Sequence, residues 1–295
     1  DAYIGWERKR GGVLELCRFL RGMDTSIRVF SGNRDFLSGV KYLITLDADT
    51  NLYIGAVNEL VGAMLHPENQ PVVDEKRKIV VSGHAVIQPR MITSLESASK
   101  SAFARLTGGA GGLDIYAGTS SDVYQQVFDE GIFCGKGILD VDVFLKVCDG
   151  FFPNERILSH DLVEGNMLRS ALGSDIVLSD STPKNALSYY TRMHRWCRGD
   201  LQVMPYLAKY VRNTDGKRIR NPMSGLSKFK IFDNFLRGLT PLFALVAIFL
   251  SFAFGLHTAG ITALFSFLYI LSPIVTQFFS GLYYRNLGTA ARRFY

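Results

Sequence analysis

Apolar residues recur every three or four positions through GVLELCRFLR (12–21), the spacing of one helical face, and RGMDTS ends the run. KYLITLD (41–47) is instead continuously apolar and of strand length. The acidic residues that stop it predict a buried strand. Helical spacing returns in LYIGAVNELVGAMLHP (52–67), with Pro67 past its end. KIVVSGHAVIQPR (78–90) reads as a strand broken near Ser82 and Gly83. Strand, helix and strand in succession predict a layered α/β domain. Farther on, SDVYQQVFDEG (121–131) and DVDVFLKVCDG (140–150) predict short helices capped by Ser or Asp and stopped by Gly. LSHDLVEGNMLRSAL (158–172) predicts another, with Ser159 as its N-cap.

LTGGAGGLDIY (106–116) is glycine-rich, yet it lacks the strand before and helix after that a phosphate loop needs. It reads as a flexible substrate-side loop.

The last quarter changes character. Leu239 to Leu256 holds eighteen residues without a charge, and after HTAG (257–260) Ile261 to Tyr284 supplies twenty-four more. At about 1.5 Å per residue, either run can cross a hydrocarbon core of about 30 Å. Pro205 to Arg237 carries eight Lys or Arg and two Asp, the tail carries Arg285, Arg292 and Arg293, and HTAG has none. By the positive-inside rule both flanks are cytoplasmic and the turn is outside. LSKFKIFDNFLRG (226–238) sets Phe229, Phe232, Phe235 and Leu236 on one helical face among lysines, the pattern of a helix in the membrane interface.

Composition fits a globular part followed by a membrane part. The positive mean hydropathy comes mainly from the C-terminal quarter. A net charge of +6 suits an anionic small substrate or membrane surface, and no aromatic-interleaved basic groove points to nucleic acid. Cys17, Cys134, Cys148 and Cys197 lie far apart, as free thiols of a reducing compartment do. The N-terminus DAYIGWERKRGG is polar and basic, unlike a signal peptide, and has no initiator Met. The expectation is a chain that starts inside something larger.

Chemistry enters at YLITLDADTNL (42–52), where Asp47 and Asp49 follow the first strand. At such a strand end, carboxylates project into the crevice where α/β folds bind ligands. They suit a hard divalent ion, Mg²⁺ or Mn²⁺, bridged by a diphosphate. Alone, the pair reads first as strand-end capping; Asp140 and Asp142 in LDVDVF are read as helix caps. The first pair has company. SHD (159–161) places Asp161 at a helix start, RMHRWCRGD begins thirty-one residues later (192 − 161), and FCGKG occupies 133–137.

This set resembles the processive family 2-type glycosyltransferases of membranes. Those enzymes combine a metal-binding D-x-D, an F-x-G-type acceptor loop, a catalytic Asp and a Q-x-x-R-W segment before interfacial and transmembrane helices. IGWERKRGGVLEL, SDVYQQVFDEGIFCGKGILDVDVF, ILSHDLVEG and HRWCRGDLQ resemble, more closely, the glucosyltransferase region of cyclic β-1,2-glucan synthases.

The resemblance implies inverting transfer of glucose from UDP-glucose to a growing β-1,2-glucan. In it, Asp47 and Asp49 hold the divalent metal and Asp161 is the catalytic base. Arg195, Arg198 and Lys9 bind the donor, while Trp196, Phe133, Cys134 and Gly135 bind the acceptor. Lys9 and Arg10 keep a second reading as a solvated charge cluster, and Cys134 one as a packing residue. His160 and His194 are not at metal spacing. Arg192 stands where the family has Gln, and the family's uridine-binding strands have no counterpart before Asp1.

The expected architecture is a truncated GT-A-like α/β glycosyltransferase core over 1–222, lacking its uridine-binding part. An interfacial amphipathic helix over 223–238, a hairpin of two transmembrane helices over 239–284 and a basic cytoplasmic tail over 285–295 follow. The expected place is the bacterial inner membrane, multi-pass, with the catalytic part facing the cytoplasm. Expected partners are UDP-glucose, the glucan acceptor, membrane lipid and the remainder of a larger synthase polypeptide. Rival readings are a β-1,4- or β-1,3-glucan or chitin synthase-like transferase, and a catalytically dead membrane scaffold.

Overall fold

The structure is a computed structural model that describes residues 6–28, 31–32, 36–107, 122–157, 159–269 and 271–272. The chain divides into two compact units, Asp1–Asp233 and Asn234–Tyr295. In the first, helix α1 (Arg8–Leu20) leads to strands β1 (Tyr42–Thr45) and β2 (Thr50–Asn51), then α2 (Ala56–Leu65). Strands β3 (Val72–Asp74), β4 (Ile79–Ser82) and β5 (Val86–Thr93) precede the short helices α3 (Leu95–Ser99), α4 (Ala102–Thr107) and α5 (Val123–Phe128). Then come β6 (Gly137–Asp140), α6 (Val141–Cys148), α7 (Asp161–Leu168), β7 (Ala171–Asp180) and α8 (Ala186–Val203). A small hairpin, β8 (Tyr210–Arg212) and β9 (Arg218–Arg220), precedes α9 (Gly225–Ser251).

Five strands form one mixed sheet in the order β1-β6-β5-β7-β2, in which β5 and β7 are parallel and the other pairs antiparallel. Successive strand residues face opposite ways. Val86 and Leu139 therefore join a core with Leu14 and Cys17 of α1, Phe144 of α6 and Met167 of α7. Their neighbours Ile87 and Ile138 join a second core with Leu60 and Met64 of α2. The result is a helix–sheet–helix sandwich, the layered α/β arrangement expected. The register between β5 and β7 shifts immediately after Pro89, which has no N–H to give the ladder.

Several boundaries differ from the expectation. Helix α1 begins at Arg8 rather than at 12, because Gly11 already donates its N–H to Glu7 O at 3.2 Å. Strand β1 is half-buried except for Thr45, since it lies at the sheet's edge and pairs with β6 alone among the described residues. Helix α5 stops at Asp129, which takes a left-handed φ of 56° and is held by Arg169 at 2.9 Å, before the expected glycine is reached. Asp140 does cap α6, accepting from Val143 N–H at 3.0 Å, whereas Asp142 pairs with Arg21. Ser159 does not cap α7: the N-cap is His160, and the Ser159 hydroxyl turns to Asp161. The glycine-rich stretch at 106–116 falls largely outside the described residues.

The expected interfacial helix and first span are one continuous helix. α9 runs through Gly238 and Pro241 to Ser251. The chain breaks at the tight turn Phe252–Phe254 and at Gly255, whose φ of 99° few other residues adopt. HTAG, expected as the turn, lies inside the next apolar helix, Leu256–Tyr269. Among the described residues one helix, Gly225–Phe254, is long and apolar enough to cross a membrane. The rest of the second apolar run and the basic tail at 285–295 lie outside the described residues.

None of the four cysteines is in a disulfide. Burial pushes the Cys17 thiol up to about 12 and that of Cys148 well above its ordinary value. The thiolate is the reactive form, so iodoacetamide at about pH 8 should modify half-buried Cys197 on the native protein and spare Cys17 and Cys148 until denaturation. Peptide mass mapping reads this directly; native modification of the latter two at the rate of Cys197 would contradict the packing.

Candidate active site

The end of β1 turns at once: Thr50 N–H donates to Asp47 O at 3.1 Å, and the turn presents both carboxylates at the sheet's edge. Lys9, in the first turn of α1, donates at 2.6 Å to Asp47 Oδ1 and at 2.6 Å to Gly135 O. Lys136 lies 3.3 Å from Asp47 Oδ2 and is also paired with Asp180 at the end of β7. Burial opposes charge on Asp47, yet Lys9 and Lys136 hold its carboxyl below the usual range. Lys136 resists burial likewise, since Asp180 and Asp47 keep its ammonium above its ordinary value.

Asp161 opens α7, where the helix dipole favours a carboxylate. Its partner is the Ser159 hydroxyl, which donates to Oδ2 at 3.3 Å. Gly135 arches over it with φ of 83°, and a Cβ there would lie 2.8 Å from all three carboxyl atoms. Only glycine permits both the turn and the approach. Burial pushes the Asp161 carboxyl up; Lys9 works against this, and the charge of Asp47 adds to it. Asp47, Asp161, Lys9 and Gly135 are therefore one constellation, drawn from four separate parts of the sequence.

Helix α8 supplies the next wall. Asn185 starts it, accepting from Ser188 N–H at 2.9 Å. Gly199 lets its backbone close on the segment beside Asp161, for a Cβ there would meet Ser159 Cβ at 3.2 Å. Arg192 reaches Asp49 Oδ2 at 3.5 Å. Arg192, Arg195, Arg198, His194 and Thr191 line an open pocket of about 570 Å³, together with Arg8 of α1. Four guanidinium groups around one opening suit phosphate oxygens.

The acceptor set is more scattered. Trp196 is half-buried on α8. Phe133 is buried in the first core, so its ring packs and does not face the opening. Cys134 packs against the second core and its N–H donates to Gln88 Oε1 at 2.5 Å. Gly135 alone of the acceptor loop touches the carboxylates.

Among the described residues no three His, Cys, Asp or Glu side chains converge as a ligand cluster. The donor chemistry still fits a hard divalent ion that keeps substrate oxygens and water as its other ligands. Asp47 has both oxygens engaged by ammonium groups, whereas Asp49 is 39% exposed and has Arg192 at 3.5 Å as its ion-pair partner. Asp49 is thus the better placed of the two.

Sequence reasoning missed Arg8, Lys136 and Asp180, and treated Arg192 only as a departure. Lys136 stood inside the quoted FCGKG, and Asp180, like Asp47, is an acidic residue closing a strand.

No protein-family model matches the chain. It is 41% identical over 249 residues, 83% of its length, to the cyclic beta-(1,2)-glucan synthase NdvB of Rhizobium meliloti. It is 24% identical over 179 residues, 58% of its length, to the glucans biosynthesis glucosyltransferase H of Caulobacter vibrioides. The chain spans 8% of the first protein and 25% of the second in these matches. Over most of its length, the chain is similar to one segment of a cyclic β-(1,2)-glucan synthase, as its motifs implied.

Proposed function

We propose that this segment transfers glucose with inversion from UDP-glucose to a growing β-1,2-glucan, within a cyclic β-1,2-glucan synthase and on a GT-A-like core. The observation that carries the reading is the constellation of Asp161 under Gly135 with Lys9 and Asp47 beside it. Both relatives are named for glucan synthesis, which supports glucosyl transfer in β-glucan formation.

Asp161 accepts the proton of the acceptor hydroxyl as that oxygen attacks the anomeric carbon. The bond from that carbon to the UDP oxygen breaks, and UDP leaves with the electron pair. A single displacement turns an α-linked donor into a β-glucoside. A carboxyl raised by burial is a stronger base than an ordinary aspartate, provided it is ionised. The arginines around the α8 pocket bind the diphosphate, and Lys9 and Lys136 keep positive charge at its edge. A divalent ion, held by Asp49 with Asp47 behind it, would neutralise the charge of the departing diphosphate. The apolar α9 spans the bacterial inner membrane, and its basic flank keeps the catalytic unit on the cytoplasmic side.

In the full-length protein, Asp161→Asn should bind UDP-glucose nearly normally and lose glucan synthesis by roughly two to four orders of magnitude. Calorimetry and radiolabelled glucose incorporation on one sample test both halves; incorporation near wild type would remove Asp161 from the chemistry. The same group sets a pH dependence. Its carboxyl must be ionised to act, so activity should fall as pH drops through its raised pKa, above the range of an ordinary Asp. Lys9→Met removes the cation that opposes the rise and should move that acidic limb to higher pH. A limb unmoved by this change would place Lys9 outside the field of the base.

Asp49→Ala should weaken Mn²⁺ binding in the presence of UDP by about 100-fold or more, beyond the usual effect of an outer-shell ligand change. Asp47→Ala should affect metal affinity less. Paramagnetic resonance titration of free Mn²⁺ measures both, and equal affinity in wild type and Asp49→Ala would return that residue to its pairing with Arg192.

A further inference from the structure

The six-residue helix α5 is fixed on three sides. Asp122 caps it, accepting from Tyr124 N–H at 2.8 Å and Ile132 N–H at 3.2 Å. Gln125 ties it to β7, bonding both the C=O and the N–H of Leu172. Asp129, at its end, pairs with Arg169 at 2.9 Å. The helix cannot roll to hide its fourth side without breaking these bonds. That side carries Val123, Val127 and Phe128 at 68%, 65% and 52% exposure. No charged residue lies between Val123 and Phe128.

The same helix touches the start of α9 through Tyr124. The Tyr124 ring meets Phe229 edge-on with centroids 6.5 Å apart, and its hydroxyl donates to Asp233 Oδ2 at 3.3 Å. Lys230 is fully buried beside them, donating to Glu130 O at 3.1 Å and Gly131 O at 3.0 Å, with the Tyr124 ring 5.4 Å away. Phe229 and Phe232, on the same turns of α9, are 55% and 42% exposed. α9 itself belongs to the run Gly225–Phe254, apolar enough to cross a membrane and only 6% buried over its most apolar stretch.

An apolar face bonded rigidly to the first turns of such a helix is held where that helix enters the bilayer. Contiguous exposed apolar groups of this kind mark an interaction surface, and its continuity with a lipid-covered helix selects lipid as the occupant. We infer that Val123, Val127 and Phe128 of α5, together with Phe229 and Phe232, form a lipid-contacting face that seats the catalytic unit on the bilayer surface. The inference rests on reading α9 as a membrane helix. The segment that ends α5 runs on into Gly135 and Lys136, so the seat is one short step from the carboxylates.

The test uses full-length protein with other reactive cysteines replaced, in nanodiscs of phosphatidylcholine and phosphatidylglycerol. Val127→Cys, Leu245→Cys and Ile54→Cys, each spin-labelled, are compared for collision with oxygen, which concentrates in lipid, and with a water-soluble nickel chelate. Ile54 is fully exposed on the globular unit and reports water, while Leu245 reports α9. The expected result is oxygen-favoured collision at Val127 and Leu245, several-fold above Ile54. Nickel-favoured collision at Val127 with Leu245 in lipid would overturn the seat and leave the membrane helix standing. Nickel-favoured collision at Leu245 would overturn both. Shielding of Val127 from both reagents would mean that protein, not lipid, covers α5, and would also overturn it.

Discussion

Lys9 is the contact on which the site depends. One ammonium joins α1, the turn after β1 and the loop over α7, through 2.6 Å bonds to Asp47 Oδ1 and Gly135 O. Without it, Lys136 alone of the two lysines would stand against the repulsion between Asp47 and Asp161. Its position is enforced from behind. Glu7 and Arg8 both adopt a left-handed φ of 52°, a cost for residues with a Cβ. The buried Glu7 carboxylate offsets it by lying 3.6 Å from Arg10 Nη2 and 3.6 Å from His160 Nε2. Arg10 in turn sits over the Phe152 ring at 4.9 Å. Burial and then Arg10 lower His160 to about 3, so the ring remains neutral and Glu7 serves Arg10. The strained entry of α1 is thus the means by which Lys9 is aimed.

A second constraint operates along α7. Glu164 lies one turn beyond Asp161, and burial followed by the charge of Asp161 pushes its carboxyl up to about 8. Two carboxyls so placed titrate as a pair, and the buried one gives way first. Near neutrality Glu164 keeps its proton, which leaves the negative charge to Asp161. The helix thereby carries a single charge at its N-terminus, where its dipole favours one.

Legibility followed sequence distance. Strand ends and helix starts are local, and they located Asp47, Asp49 and Asp161, while Arg195 and Arg198 came from the resemblance carried by HRWCRGDLQ. Pairings that close over long separations left no local mark. Asp180 shares Lys136 with Asp47 although it lies 44 residues beyond that lysine, and Arg192 meets Asp49 from a still more distant part of the sequence. Phe133 shows the converse: the resemblance implied it as an acceptor contact, yet its ring belongs to the core beside α7. The join at 238 failed for a related reason. A change from basic to uncharged residues marks a change of surroundings, but a backbone break needs a terminator, and neither Gly238 nor Pro241 acts as one in α9. Gly255 does, because its φ of 99° cannot continue a helix.

The division of cations explains why the two aspartates of the motif are not equivalent. Asp47 meets two lysines, compact ammonium groups that remain on it at 2.6 and 3.3 Å. Asp49 meets one arginine at a longer 3.5 Å, and that arginine already lines a pocket with Arg8, Arg195 and Arg198. A guanidinium holds phosphate oxygens in bidentate fashion more strongly than it holds a half-exposed carboxylate. On the proposed reading, a diphosphate in the pocket would compete with Asp49 for Arg192, and Asp49 would then be available to hold a divalent ion. Arg192, which stands where the resembling enzymes have glutamine, would on that reading keep Asp49 paired until a donor arrives. Glutamine has no charge with which to pair a carboxylate, so the departure in sequence changes what Asp49 has beside it.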